Sequence, residues 1–133
     1  NDTIDAGVGH DILTGGAGAD KFVFAAGDTG TTFATTDVIT DWTGGATGDH
    51  LALGTAGAIG NYVEATAASS DYDAALAQAQ TIFTNNAGIK YVAVQAGSDV
   101  ILFLDQSGDH TIDGGIALAG KSLTDIDFGN IVA

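Results

Sequence analysis

The sequence predicts a mainly β protein: a stacked coil of short strands over residues 1–27, then a β region over residues 28–133 holding one helix at 71–84. Three observations lead there. The first 27 residues repeat with a nine-residue period, "AGVGHDILT" followed by "GGAGADKFV". Downstream, short bursts of Val, Ile, Leu and aromatic residues sit between Gly-, Thr- and Asp-rich turns. Only residues 71–84 place apolar side chains clearly at helical spacing.

The repeat has the frame G-G-x-G-x-D-x-U-x, where U is a large apolar residue. "GGAGADKFV" fits it fully, and "AGVGHDILT" fits with Ala6 in place of the first Gly. "NDTID" is the back half of an earlier repeat, with Asp2 and Ile4 in the D and U positions, so further repeats are expected upstream. In such a repeat six residues make a turn and three make a strand whose middle residue points inward. Glycine is required where the backbone takes positive φ or comes close to an ion. Two nonapeptides complete one coil, so Asp2 and Asp20, 18 residues apart, share one edge and Asp11 lies on the other. Ile4, Leu13 and Phe22 fill the space between. A carboxylate beside turn carbonyls is the hard-oxygen donor set that Ca²⁺ prefers. The next frame, "FAAGDT" at 24–29, has lost the motif, and the repeats are expected to end there.

Over 33–60, "TTDVITDW" and "HLAL" read as short strands separated by the turn "GGATGD", while 54–69 is too rich in Gly and Ala to assign. Ser70 is the expected N-cap of the helix, Asp71 and Asp73 favour its first turn, and Tyr72, Leu76, Ala79 and Phe83 form its apolar face. "NNAG" stops it. "IKYVAVQ" and "DVILFLD" form a hairpin around "AGS", and the tail "SLTDIDFGNIVA" ends in an acidic-then-apolar pattern.

At 133 residues and 45% hydrophobic, the chain can bury one core. Its 17 acidic residues, 16 Asp and Glu64, face only Lys21, Lys90 and Lys121, giving a net charge of −14. That balance excludes a nucleic-acid partner and disfavours an anionic membrane surface. The absence of Cys removes disulfides, thiolate zinc sites and thiol catalysis. No apolar run is long enough for a transmembrane segment, and "NDTIDAGVGH" is not a signal peptide.

"AGVGHDILTGGAGADKFVF" resembles the nonapeptide repeats of the RTX family, calcium-binding proteins exported by type I secretion. "TTDVITDWTGGATGDHLAL" is similar to the stretch that caps those repeats, and residues 99–133 resemble the closing hairpin and C-terminal secretion signal. The resemblance implies the end of a parallel β-roll, a calcium-binding solenoid, over 1–27, capped by a β-sandwich-like region over 28–133. The secretion signal would lie in about 75–133. It implies carbonyl ligands at Gly7 and Gly9 with the Asp11 carboxylate, and at Gly16 and Gly18 with Asp20. Gly15 and Ala17 would serve an ion shared with the turn containing Asp2, and Asp37 and Asp41 would complete the last site. About two to three Ca²⁺ ions are implied.

Other readings of the same residues fit less well. "GGAGAD" lacks the Lys-Ser/Thr of a phosphate loop and any following helix. "DQSGDHTID" spaces Asp105, Asp109 and Asp113 four apart, which fails the EF-hand pattern and reads as a solvated turn. His10, His50 and His110 show no zinc-ligand spacing, and no catalytic motif is present. The functional expectation is a non-catalytic calcium-binding module of a secreted or cell-surface protein, with Ca²⁺ as its cofactor, the type I secretion machinery as a partner, and self-assembly in a surface layer. The alternative is the C-terminal domain of a serralysin-like metalloprotease or other RTX hydrolase whose catalytic domain lies upstream.

Overall fold

A computed structural model describes residues 1–133 and shows a mainly β chain with two sheets and one long helix. The D-x-U triplets seed the strands. Asp2, Asp11 and Asp20 each immediately precede or open a strand: β1 (Thr3–Asp5), β2 (Ile12–Leu13) and β3 (Lys21–Val23). β1 pairs in parallel with β3 in a register that sets Ile4 on Phe22, 18 residues apart as the spacing requires.

Parallel pairing continues beyond residue 27. β4 (Asp37–Ile39) stacks on β2 with Leu13 opposite Ile39, and β5 (His50–Ala52) stacks on β3 with Phe22 opposite Leu51. The unassigned stretch contains β6 (Tyr62–Thr66), parallel to β7 (Tyr91–Ala96). β7 forms the expected antiparallel hairpin with β8 (Asp99–Leu104). β9 (Gly114–Leu118), which the pattern did not reveal, pairs antiparallel with β8 and parallel with β4, while β10 (Ile131–Val132) closes beside β5. The sheets thus run β1-β3-β5-β10 and β2-β4-β9-β8-β7-β6.

The helix, α1 (Tyr72–Asn85), begins one residue later than expected. Its N-cap is Asp71 in an extended conformation, without a side-chain cap bond, rather than Ser70. Tyr72, Ala75, Ala79 and Phe83 form its buried face, with Leu76 at the margin.

Strand alternation builds two cores. Tyr91, Ala93, Val100, Leu102 and Leu104 point between the sheets, where they join Phe22, Ile39, Trp42, Leu51 and Ile131. Val92, Val94, Ile101 and Phe103 point to the outer face of the larger sheet and pack under α1. Trp42 is fully buried, and its indole N–H donates to the Asp125 carbonyl at 2.8 Å, so burying that polar atom leaves no donor unpaired.

Candidate metal centre

The two predicted turns have the same backbone. Gly7 and Gly16 take φ of 71° and 87°, and Gly9 and Gly18 take 134° and 124°. An L side chain is strained at all four, which is why glycine holds the second and fourth places of the frame. The first place is different: neither Ala6 nor Gly15 has positive φ, so Ala6 fits.

Above the turns the aspartates form two ladders. On one edge the Asp20 Oδ1 accepts the Asp2 backbone N–H at 2.6 Å, and Asp49 Oδ1 accepts that of Asp20 at 2.8 Å. On the other, Asp37 Oδ1 accepts the Asp11 N–H at 2.7 Å. Each ladder ends where a neutral group replaces the next carboxylate. The Asp37 N–H donates to the Thr29 hydroxyl, and the Asp49 N–H donates to the Thr43 carbonyl.

This pairing uses one oxygen of each carboxylate and strands the other. Asp11 Oδ2, Asp20 Oδ2 and Asp37 Oδ2 are buried and accept no hydrogen bond. Asp20 and Asp37 are almost wholly enclosed. Burial pushes the Asp37 carboxyl above its ordinary 3.8, against the opposing pull of the Asp11 N–H. The carbonyls of Gly7, Gly9, Gly15, Gly16, Ala17 and Gly18 likewise accept no hydrogen bond within the chain. Orphaned carboxylate oxygens beside free turn carbonyls fit a hard divalent cation, and no lysine side chain pairs with these carboxylates. No three His, Asp or Glu side chains converge on one point, so a cation here would depend on main-chain oxygens for most of its shell.

The predicted residues separate by task. Asp2 contributes its N–H to the first ladder, while its exposed carboxylate makes no bond there. Asp41 accepts the Gly15 and Gly16 N–H groups at 2.9 and 2.7 Å, one on each oxygen, and so braces the turn beneath it. Asp49 was not among the expected site residues. The signal for it is the D-x-U triplet Asp49-His50-Leu51, which repeats Asp20-Lys21-Phe22 after 29 residues instead of 18.

The loop "DQSGDHTID" does not gather its three acids. Asp105 is buried rather than solvated, accepting the Gly108 N–H at 2.6 Å and the His110 N–H at 3.0 Å. Asp113 accepts from the Ser107 N–H, and Asp109 accepts from Thr111. Each carboxylate is used to shape the loop's own backbone.

Gly15 is required for a different reason from its neighbours. A Cβ there would stand 2.6 Å from Asp20 Oδ2 and 3.1 Å from Asp20 Cβ and Cγ. Gly15→Ala is expected to displace that carboxylate and cost about 1–3 kcal/mol, read as a lower denaturation midpoint. Ala6→Gly, at the equivalent place in the other turn, should cost much less; equal effects would refute this account of Gly15.

No family model matches this chain, and no curated protein matches it.

Proposed function

We propose that this chain is a calcium-binding, non-catalytic module of a secreted or cell-surface protein of the RTX type. In this reading β1 to β5 are the end of a parallel β-roll, the remaining strands and α1 form its sandwich-like cap, and residues 75–133 engage a type I secretion machinery. Its role is structural, in self-assembly at the cell surface. The observation that carries the reading is the set of three buried carboxylate oxygens without a partner, set above turns with free carbonyls.

Asp11 and Asp37 would hold Ca²⁺ on one edge with carbonyls of Gly7 and Gly9, and Asp20 on the other with carbonyls from 15–18. The bound ion would supply the positive charge that no lysine side chain brings to these carboxylates. The residues do the rest: glycines keep the turn carbonyls unpaired, the ladder bonds fix each Asp rotamer, and Asp41 holds the second turn closed. Extracellular calcium modules bind at about 10⁻⁴ to 10⁻³ M. Such sites stay empty in a low-calcium cytoplasm and fill after export. No helix of the chain is long and apolar enough to cross a membrane.

Calorimetric titration with CaCl₂ tests the proposal. Binding in the submillimolar to millimolar range is expected, with Asp20→Asn removing one part of the heat and Asp37→Asn another, and with Mg²⁺ much weaker. Absence of calcium heat in that range, or no change in either variant, would overturn it.

A further inference from the structure

The largest cleft of the molecule, about 510 Å³, lies where β3 and the end of β5 meet the start of β7. Its lining contains Lys21 and Lys90, two of the three lysines in the chain. None of the 17 acidic residues lines it. Neither lysine has a carboxylate oxygen within 4.0 Å; the one ion pair in the chain joins the N-terminal ammonium to Asp20. In a chain of net charge −14, two lysines without a carboxylate partner thus line one cleft to which no Asp or Glu contributes.

The Lys90 side chain is half-buried, and its backbone is pinned on both sides. The Lys90 N–H donates to the Asn61 carbonyl at 2.9 Å, and its own carbonyl accepts the Asp105 N–H at 2.9 Å. Val23, Ala25 and Ala26 contribute an accessible apolar floor, backed by the buried Phe24, Leu53 and Tyr91. At the polar side the Gln106 amide donates to the Leu53 carbonyl at 3.3 Å, which leaves its Oε1 free to accept. The Tyr91 hydroxyl donates to the Thr55 carbonyl at 2.6 Å, which holds that wall of the cleft in place.

We propose that this cleft binds an acidic sugar of the uronic-acid type. A pyranose presents a C–H face for the floor, a hydroxyl donor for Gln106 Oε1, and a carboxylate for Lys21 and Lys90. The volume lies within the range of small-ligand sites. A long-chain acid would need a deeper apolar channel, and a bare inorganic anion would leave the floor uncovered. The inference stands on the lysines and the cleft alone and is independent of the calcium proposal.

The test is titration of the full chain, in calcium-containing buffer, with sodium D-glucuronate, D-glucose and inorganic phosphate. Glucuronate is expected to saturate in the millimolar range. Glucose should bind at least about tenfold more weakly, and phosphate should not displace glucuronate at equal concentration. Lys90→Gln and Lys21→Gln should each weaken glucuronate about tenfold, whereas Lys121→Gln, outside the cleft, should not. Added salt should weaken binding. Thermal melts of the variants establish that each remains folded. Absence of saturation by glucuronate, equal binding of glucose, equal displacement by phosphate, or indifference to both cleft lysines would each overturn the proposal.

Discussion

Chelation of calcium is expected to remove amide hydrogen-exchange protection from β1 to β5 and to lower the melting temperature of the whole chain. A cation site held at 100 times its dissociation constant contributes about 2.7 kcal/mol, so one on each edge contributes about 5 kcal/mol. That is comparable with the entire stability of many domains, about 5–15 kcal/mol. Without the ion the chain must bury Asp11 Oδ2, Asp20 Oδ2 and Asp37 Oδ2 unpaired. The layer of α1 on β7 and β8 has its own apolar core and should keep more of its protection. The same protection pattern with and without chelator would count against the calcium reading.

Acidity should partly replace the ion. Burial raises the Asp37 carboxyl above 3.8, so its protonated form favours the fold. That contribution is complete below pH 3.8 and is lost as pH rises through the raised value. Asp125 acts in the opposite sense: the Ser122 N–H and hydroxyl lower its carboxyl, so its contribution is present above 3.8 and is lost only at lower pH. The chelated chain should therefore be more stable just above pH 4 than at pH 7. Asp37→Asn should flatten that difference.

Phe22→Ala should produce the largest loss of any single core truncation in the coil, about 3–5 kcal/mol. Phe22 is fully buried, stacks on Ile4 in one direction and Leu51 in the other, and lies 6.3 Å from the Trp42 ring. Removing it opens a cavity along the axis that joins three stacked strands, and neighbours held in register by parallel ladders have little freedom to collapse into it. Phe22→Leu should cost under about 1.5 kcal/mol. Ile59→Ala, at a side chain 87% exposed, should stay within about 0.5 kcal/mol. Urea midpoints at constant slope measure all three. A loss below about 1 kcal/mol for Phe22→Ala would show that the stack is not the core of this half.

The first three D-x-U triplets were legible because their period is strict. The pairings of Ile4 with Phe22 and Asp2 with Asp20 follow from 18-residue spacing. Asp37 and Asp49 continue the same ladders after 26 and 29 residues, because longer turns intervene, so the period vanishes while the stacking persists. β9 was hidden by its composition. Gly114 and Gly115 open the strand, and glycine stands there because a Cβ at Gly114 would meet Thr29 at 2.7 Å and one at Gly115 would meet the Tyr72 hydroxyl at 3.2 Å. β6 was obscured because Ala and Gly flank it and only Tyr62 and Val63 carry large apolar side chains.

The sequence alone determined the local geometry: which glycines turn, which aspartates face one edge, which residues point inward, and where the hairpin and helix lie. Those are consequences of backbone stereochemistry and of two- or 3.6-residue periods, which act within a few residues. Only the tertiary structure decided that Asp49 extends the Asp20 ladder, that Asp41 braces the turn of Gly15, and that Lys21 and Lys90 line one cleft to which no Asp or Glu contributes. Each of these joins positions 25 to 69 residues apart, across turns whose lengths follow no period. Such meetings are set by how the two sheets close over a common core, which local spacing does not encode.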